Sequence, residues 1–409
     1  MFWLSFFVTY RNPVILLPPF YGTNLWVTYN QANLPSYCSK SKNDSLLWLN
    51  TAYMLPLKMS CLFKLITTFI DDEGHITNWP NTTISIHDFG GDESTKFVIQ
   101  NELLFHKGFG PSLLNFVEHF TELGWQLKKD LFIAPYDWRI GPTFSDQFWP
   151  DFRKLIEDAY SVQNEKVTII AFSQGGYMTH HFLTKHCTQK WKDDFISQVI
   201  LLSPSFAGDI QMLYNLWSKR IPTFPYIHSD AQSLCFEQMP SIHAHIPNEV
   251  VYKDVVLVYG PNGEEYKAGD LRDIIFDHLL FNENARKTFD KSQEIRKERP
   301  ADLGVKTTLL MNSKRETAVA LNFSNGWNKN PVRIIGEGDG TMPAYGHRWV
   351  CKHFNNITCI DFNSTSAKYD HYPLISTKRV LNIVSNITLY NKIPDLESKE
   401  VFVKDFDEL

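Results

Sequence analysis

Short apolar runs alternate with amphipathic segments along the chain. Six runs are dominated by β-branched and large apolar residues, and several lack the polar alternation of a half-exposed strand. They span residues 14–17, 131–134, 166–171, 198–202, 332–335 and 357–362. Continuous apolar strands indicate a sheet that is covered on both faces. We therefore predict an α/β fold with a mostly parallel central sheet covered by helices.

Two segments between the runs have the 3.6-residue period of an amphipathic helix. They are residues 111–123 and 144–159, and Pro150 is expected to kink or restart the second helix. Two regions, 35–70 and 206–304, fall outside the alternation of strands and helices. We predict that both are insertions into the α/β core.

Composition narrows the class of protein. Hydrophobic residues make up 43% of the chain and charged residues 21%, a balance that supports a large core and excludes a disordered chain. The net charge of −5 argues against nucleic acid as a partner. No stretch approaches the roughly 18 apolar residues that a membrane-spanning helix needs. Neither a GxGxxG motif nor a P-loop occurs, so no cofactor is predicted.

Cysteines and glycosylation motifs bear on the compartment. The six cysteines show no CxxC and no zinc-type spacing, which leaves disulfides or buried thiols and predicts no metal site. Six Asn-x-Ser/Thr motifs favour a secreted or lumenal chain. They begin at Asn43, Asn81, Asn322, Asn356, Asn363 and Asn386.

The turn after the run 166–171 carries the clearest catalytic motif. Ser173 stands between small residues, with Ala171 before it and Gly175 after it, and a helical pattern begins at once. This arrangement is typical of the nucleophile elbow, in which a sharp strand-to-helix turn lifts the serine hydroxyl clear of the sheet. Ala171 occupies a position where glycine is usual.

The elbow predicts its own partners, because the acid and then the histidine follow the serine along the chain in this class of enzyme. Asp339 lies in a glycine-rich turn after the run 332–335, with Glu337 as a second candidate. His371 follows the last predicted strand, so its position favours it as the base.

An acyl-transfer site also needs two donors for the oxyanion of the tetrahedral intermediate. The amide of Gln174, directly after the serine, is one candidate. The loop after the first strand supplies the other, and Phe20 is its first available donor because Pro18 and Pro19 have no N–H.

Several segments together resemble the lecithin:cholesterol acyltransferase and lysosomal phospholipase A family of α/β-hydrolases. The most specific is the string APYDWR, which contains Asp137, Trp138 and Arg139. The segment NPVILLP that begins at residue 12 and the Gly-Asp-Gly-Thr turn from residue 338 fall in the family's order. The resemblance implies the same serine, acid, base and oxyanion amides. From the residues alone, Asp137 and Arg139 are expected to form an ion pair that shapes the pocket.

The resemblance also gives the insertions a role. It implies a Cys38–Cys61 disulfide around a small membrane-docking subdomain. The apolar loop that this pair encloses, with Trp48, Leu49 and Leu55, reads from the residues alone as either a core plug or an interfacial anchor. By the resemblance it would bind a phospholipid membrane or lipoprotein-like surface.

A mobile lid is expected near residues 219–234 by the same comparison. The family's second disulfide has only one matching cysteine here, Cys351, which is expected to pair with Cys359 or with nothing. Phe20 is also unusual for the family, and its ring is expected to narrow the site or line the acyl pocket.

These observations define the predicted organisation and function. The hydrolase core comprises 12–205 and 305–390, with a docking insertion at 35–70, a cap and lid at 206–304 and a polar tail at 391–409. The predicted function is a serine-dependent lipid acyl hydrolase or O-acyltransferase that passes the acyl group to water or to a lipid alcohol. The expected location is outside the cell or in an endomembrane lumen, peripheral on membranes. The alternatives are a catalytically silent lipid carrier and a soluble hydrolase of small esters.

Overall fold

A computed structural model describes residues 11–96, 113–219, 230–279, 282–392 and 401–402. The first two residues of the predicted helix 111–123, most of the predicted lid and most of the polar tail lie outside the described residues.

The centre of the fold is a seven-stranded sheet whose carboxyl edge carries the candidate site. The strands are β1 (Val14–Leu17), β2 (Leu131–Ile133), β3 (Val167–Phe172), β4 (Ile196–Leu202), β5 (Thr307–Met311), β6 (Ile357–Asp361) and β7 (Val401–Phe402). Their spatial order is β7-β6-β5-β4-β3-β1-β2, and all neighbours are parallel except β7, which is antiparallel to β6.

Both faces of this sheet are covered, as the unbroken apolar runs predict. Alternate residues of β1 belong to two separate apolar clusters. Val14 and Leu16 pack with helices Leu114–Glu122 and Lys378–Tyr390 on one face. The other face packs against helix Phe148–Gln163. The predicted α/β-hydrolase class, with a mainly parallel sheet between helices, is confirmed.

The second predicted helix is restarted rather than kinked. A short 3-10 helix, Pro142–Phe144, precedes helix Phe148–Gln163, and Pro150 lies in the first turn of that helix. A proline is tolerated there because the first amides of a helix have no acceptor within it.

The central sheet differs from the strand predictions at two points. The pattern analysis missed β5, which lies in the middle of the sheet, because the run is short and begins with two threonines. Residues 332–335 do form a strand, Val332–Gly338, but it is not part of the central sheet. It pairs antiparallel with Arg315–Asn322 in a separate four-stranded sheet, where Val332 and Ile335 are exposed.

The first insertion is larger than residues 35–70. Its strand Ser41–Trp48 pairs with Leu25–Asn30, which in turn pairs with Thr82–Ser85, so a three-stranded antiparallel sheet extends beyond both predicted bounds. Helix Pro56–Ile66 follows a 3-10 turn at Thr51–Met54. A small hairpin joins Thr68–Ile70 to Ile76–Asn78.

The second insertion is mainly helical. Short strands Val258–Tyr259 and Glu265–Tyr266 connect it to the four-stranded sheet. Its helices are Ile210–Ser218, Asp230–Gln238, Pro240–Ala244, Leu271–His278 and Glu283–Gln293. The remaining helices of the core are Glu93–Lys96, Gln174–His181, Gln189–Phe195, Ala344–His353 and His371–Leu374. Among the described residues, no helix is both long and apolar enough to cross a membrane.

Candidate active site

Ser173 stands in the turn between β3 and helix Gln174–His181. Its backbone has φ 53° and ψ −117°, a conformation that non-glycine residues rarely adopt. Its amide donates a hydrogen bond to Leu202 O (2.9 Å), which ties the turn to the adjacent strand. The sharp turn thus places the serine hydroxyl above the carboxyl edge of the sheet, as a nucleophile elbow requires.

Two glycines allow this turn to pack closely. A Cβ at Gly175 would lie 2.6 Å from Leu17 O and 2.7 Å from Pro18 O, on the backbone that leads out of β1. A Cβ at Gly176 would lie 2.6 Å from Cβ of Pro204. The small residues after the serine therefore bring the elbow into contact with both neighbouring loops.

His371 bridges Ser173 and Asp339. Its Nε2 lies 3.0 Å from Ser173 Oγ, and its Nδ1 lies 2.8 Å from Asp339 Oδ2. The backbone amide of His371 donates to Asp339 O (2.7 Å), which fixes the two residues to one another twice. All three side chains are buried. Ionised carboxylates only accept, so Nδ1 carries a proton and Nε2 is free to accept the serine proton.

Asp339 is held as a carboxylate. Burial raises its pKa, but the imidazole of His371, which attracts the carboxylate when protonated and also donates a hydrogen bond to it, outweighs burial together with His347 and the hydroxyl of Ser203, and the net pKa is lowered. Its second oxygen accepts the amides of Thr341 (2.9 Å) and Met342 (2.6 Å). The hairpin formed by Arg315–Asn322 and Val332–Gly338 is inserted after β5. The chain leaves this hairpin at Asp339, at the end of the sheet where β5 finishes.

Glu337 and the two other histidines that follow residue 339 lie away from Ser173. Glu337 pairs with Lys314 (2.5 Å) and Arg348 (2.7 Å) at the surface of the hairpin. His347 and His353 follow the acid in the sequence, but their rings lie against the carbonyls of Pro204 (3.0 Å) and Trp349 (2.7 Å).

The predicted oxyanion donors lie on either side of the elbow. Gln174 is the first residue of its helix, so its amide has no acceptor within the helix. Phe20 lies in the loop that Gly175 contacts, and its ring packs edge-on against Trp138 with centroids 5.3 Å apart. That ring is buried and lies 6.2 Å from the ring of His245.

Residues of the APYDWR string form hydrogen bonds to the segments next to the nucleophile elbow. The hydroxyl of Tyr136 donates to Pro18 O (2.6 Å), and the indole of Trp138 donates to Thr23 O (3.0 Å). The side-chain amide of Gln174 donates to Trp138 O (3.1 Å). These bonds connect the string to the loop after β1 and to the first residue of the nucleophile helix.

Asp137 and Arg139 form a two-bonded ion pair, with Nε–Oδ1 at 2.8 Å and Nη2–Oδ2 at 2.5 Å. The buried guanidinium also donates to Asn78 Oδ1 (2.9 Å) and lies 3.4 Å from Ile66 O. The pair therefore joins the core to the first insertion.

The prediction that Trp48 faces a membrane is wrong. Its side chain is 3% exposed, its indole donates to Tyr21 O (2.9 Å), and its ring packs on Trp138 at 5.1 Å. Trp48 is therefore a core residue that packs against the loop after β1. Leu49 is half-buried against the same cluster, whereas Leu55 is 61% exposed.

Two disulfides are present. Cys38 is bonded to Cys61, which closes the first insertion between its entry and helix Pro56–Ile66. Cys351 is bonded to Cys359 on β6, the strand next to β5. The resemblance to the family would place the partner of Cys351 on β5. Cys187 and Cys235 are not in disulfides.

Three polar residues near the site were missed by the sequence analysis. Ser203 donates to the carboxylate of Asp339. Ser205 and His245 form a buried pair beside the elbow (2.8 Å). Ser203 could have been noticed as a polar residue directly after a predicted strand. No local pattern in the sequence pointed to Ser205 and His245 as a pair. In the part of the chain that the structure describes, no three histidine, cysteine or acidic side chains are placed to hold a metal ion.

Fold and site together define an α/β-hydrolase with a serine–histidine–aspartate arrangement. The family profile described as lecithin:cholesterol acyltransferase matches residues 44–332, which is most of the chain. The chain therefore belongs to the lecithin:cholesterol acyltransferase family and is an enzyme of that type. The matched region contains Ser173, whereas Asp339 and His371 follow it.

Individual relatives are distant. A lysosomal phospholipase A and acyltransferase of Bos taurus is 28% identical over 228 residues, which are 54% of this chain and 55% of that protein. The alignment thus spans about half the length of that relative. A phosphatidylcholine-sterol acyltransferase of Mus musculus is 25% identical over 393 residues, 93% of this chain and 86% of that protein. A chain in the crystal structure of the Tle4–Tli4 complex superposes with a TM-score of 0.51 at 12% identity, covering 90% of this chain and 96% of that one, and supports the fold alone.

Proposed function

We propose that this protein is a serine-dependent lipid acyl hydrolase and O-acyltransferase that cleaves an acyl ester of a glycerophospholipid. The observation that carries the proposal is the hydrogen-bonded chain from Ser173 Oγ through His371 to Asp339, at 3.0 and 2.8 Å. The names of the bovine and mouse relatives, which include phospholipase A and acyltransferase, support a lipid ester as the substrate.

The proposed first half-reaction forms an acyl-serine. His371 Nε2 takes the proton of Ser173 Oγ while that oxygen attacks the acyl carbonyl. The amides of Phe20 and Gln174 stabilise the oxyanion, and Asp339 stabilises the imidazolium. Collapse of the intermediate expels the glycerol oxygen, which takes the proton from His371 and leaves as a lysophospholipid.

The second half-reaction decides between hydrolase and transferase. His371 removes a proton from water or from a lipid alcohol, whose oxygen attacks the carbonyl carbon of the acyl-serine. The bond to Ser173 Oγ then breaks, that oxygen takes the proton back from His371, and a fatty acid or a new ester is released. Both outcomes use the same residues, so the acceptor that reaches the acyl-serine decides the product.

We further propose that the disulfide-closed insertion binds a lipid surface. Leu55 is 61% exposed and Tyr37 is 43% exposed on that insertion. Trp48 would support this surface from within. The six glycosylation motifs begin at positions that are all at least partly exposed, and two disulfides are present, which together support a secreted or lumenal location.

The test incubates the purified protein with phosphatidylcholine and sterol liposomes and resolves the products by mass spectrometry, with Ser173→Ala as the control. Lysophospholipid and fatty acid alone would define a phospholipase, and acylated sterol would define a transferase. We expect Ser173→Ala to form neither. Product formation by that variant at the wild-type rate, or none by the wild-type protein, would contradict the proposal.

A further inference from the structure

A second serine–histidine pair is buried beside the nucleophile elbow. The side chains of Ser205 and His245 are each 1% exposed, and Ser205 Oγ lies 2.8 Å from His245 Nε2. The other ring nitrogen, Nδ1, lies 2.5 Å from Ser241 O. A carbonyl oxygen only accepts, so Nδ1 carries the proton and Nε2 must accept from the Ser205 hydroxyl. This requires a neutral ring, and burial lowers the pKa of His245 to about 4.

Ser205 is bonded directly to the backbone of the nucleophile. Its amide donates to Ser173 O (3.2 Å), while the amide of Ser173 donates to Leu202 O (2.9 Å). The last residue of β4 and the segment after it therefore hold the backbone of Ser173 through both its N–H and its C=O. A residue at φ 53° keeps that conformation only where its surroundings impose it.

The pair also connects the elbow to the cap and the first insertion. The amide of Ser241, in cap helix Pro240–Ala244, donates to Arg139 O (3.0 Å). A Cβ at Gly141 would lie 3.2 Å from Ser241 Cα, so the absence of a side chain there allows this approach. Arg139 in turn donates to Asn78 of the first insertion.

We propose that Ser205 and His245 are positioning residues for the nucleophile, which fix the backbone of Ser173 to the cap helix and so hold its hydroxyl in line with His371. This inference rests on the proposed function of Ser173. Loss of the Nε2 acceptor would leave a buried hydroxyl unpaired and loosen the segment that holds the elbow. A small displacement of the nucleophile lowers the rate of attack more than it lowers substrate binding.

The experiment compares Ser205→Ala, His245→Leu and His245→Gln with the wild-type protein. The control is Ser218→Ala, which removes another buried cap hydroxyl that has no hydrogen-bond partner in the described structure. Two readouts are used: the second-order rate at which a fluorophosphonate labels Ser173, and kcat and KM for a soluble short-chain p-nitrophenyl ester. Thermal unfolding identifies any variant that does not fold.

We expect Ser205→Ala and His245→Leu to lower the labelling rate and kcat about 10- to 100-fold, with KM within about twofold. His245→Gln keeps a neutral acceptor near the position of Nε2, so it should recover most of the rate. Ser218→Ala should label at the wild-type rate.

Failure of this inference can be told from failure of the proposed function. A wild-type protein that is not labelled at Ser173 would overturn the proposed function. A labelled wild-type protein with Ser205→Ala equally fast would overturn the positioning role alone. If His245→Gln were folded yet as slow as His245→Leu, ring packing and not the acceptor would matter, and the inference would be wrong. If the histidine variants do not fold, Ser205→Ala decides the question.

Discussion

The hydroxyl of Ser203 and the Nδ1 proton of His371 are both donated to the same carboxylate oxygen of Asp339. Ser203 comes directly after β4, and its amide is bonded to Leu310 O (2.9 Å) on β5. Because the backbone of Ser203 is fixed by the sheet, its hydroxyl helps to position Asp339 and, through Asp339, the ring of His371.

Ser203→Ala should therefore impair catalysis without removing any group that touches the substrate. The variant loses one hydrogen bond to a buried carboxylate, an interaction of about 1.5–3 kcal/mol. We expect kcat for a soluble ester to fall roughly 10- to 100-fold, with KM little changed. Ser203→Thr, which keeps a hydroxyl, provides the comparison. An alanine variant with wild-type kcat would show that the backbone amides suffice to hold Asp339.

Gly175→Ala tests the close approach of the elbow to the loop after β1. The added Cβ would lie 2.6 Å from Leu17 O, a contact that only backbone movement can relieve. We expect at least a 100-fold loss of activity, because the amides of Gln174 and Phe20 would separate. Gly269→Ala is the matched control, since nothing lies within 4 Å of its Cβ. Equal activity of the two variants would exclude the packing argument.

Leu55→Asp tests the proposed lipid surface. The substitution places a charge on a side chain that is 61% exposed, so the fold should tolerate it. Loss of one leucine from an apolar contact corresponds to about 1.5–3 kcal/mol, and we expect vesicle binding to weaken about tenfold or more. Hydrolysis of a soluble ester should be unaffected.

Val162→Asp is the control for that experiment. Val162 is 65% exposed on helix Phe148–Gln163, outside the first insertion. Sedimentation with liposomes measures binding for both variants. If the two variants lost binding equally, the contact surface would not be specific to the insertion.

The sequence predicts the order of the three candidate residues because each follows a strand in a fixed sequence of elements, and the structure brings their side chains together. Ser173 follows β3 directly, and His371 follows β6 after a loop and a 3-10 helix at Ala367–Tyr369. The strand before Asp339 belongs to an inserted hairpin and not to the central sheet, in which β5 is the strand that precedes the hairpin.

The contacts that support the triad could not be read in this way. Ser203 and Asp339 are 136 residues apart, and Ser205 and His245 are 40 apart. No spacing or period relates them, because the first pair depends on which strands are neighbours in the central sheet and the second on how the cap packs on that sheet. Trp48 was misjudged for a related reason, since an aromatic residue on an apolar loop gives no sign of which side meets the core.

Asp209 is a buried carboxyl that should make stability fall with rising pH. Burial, together with the charge of Asp339, raises its pKa to about 8. One of its oxygens caps helix Ile210–Ser218 by accepting the amide of Met212 (2.6 Å). The other oxygen has no hydrogen-bond partner in the described part of the chain.

The direction in which stability changes with pH follows from the number of protons that the folded and unfolded states bind. Between its unfolded pKa of 3.8 and about 8, the folded state holds more protons on Asp209 than the unfolded state does. The free energy of unfolding therefore decreases as pH rises through that window. The substitution Asp209→Asn keeps a capping oxygen but removes the titratable group, so it should abolish this dependence. We expect the free energy of unfolding of the variant to exceed that of the wild-type protein by about 1–3 kcal/mol at pH 8, which is the cost of a buried unsatisfied group. Near pH 4 the two free energies of unfolding should differ little. Denaturant unfolding at several pH values measures the difference, and a gap that does not widen with pH would show that Asp209 is paired or ionised throughout.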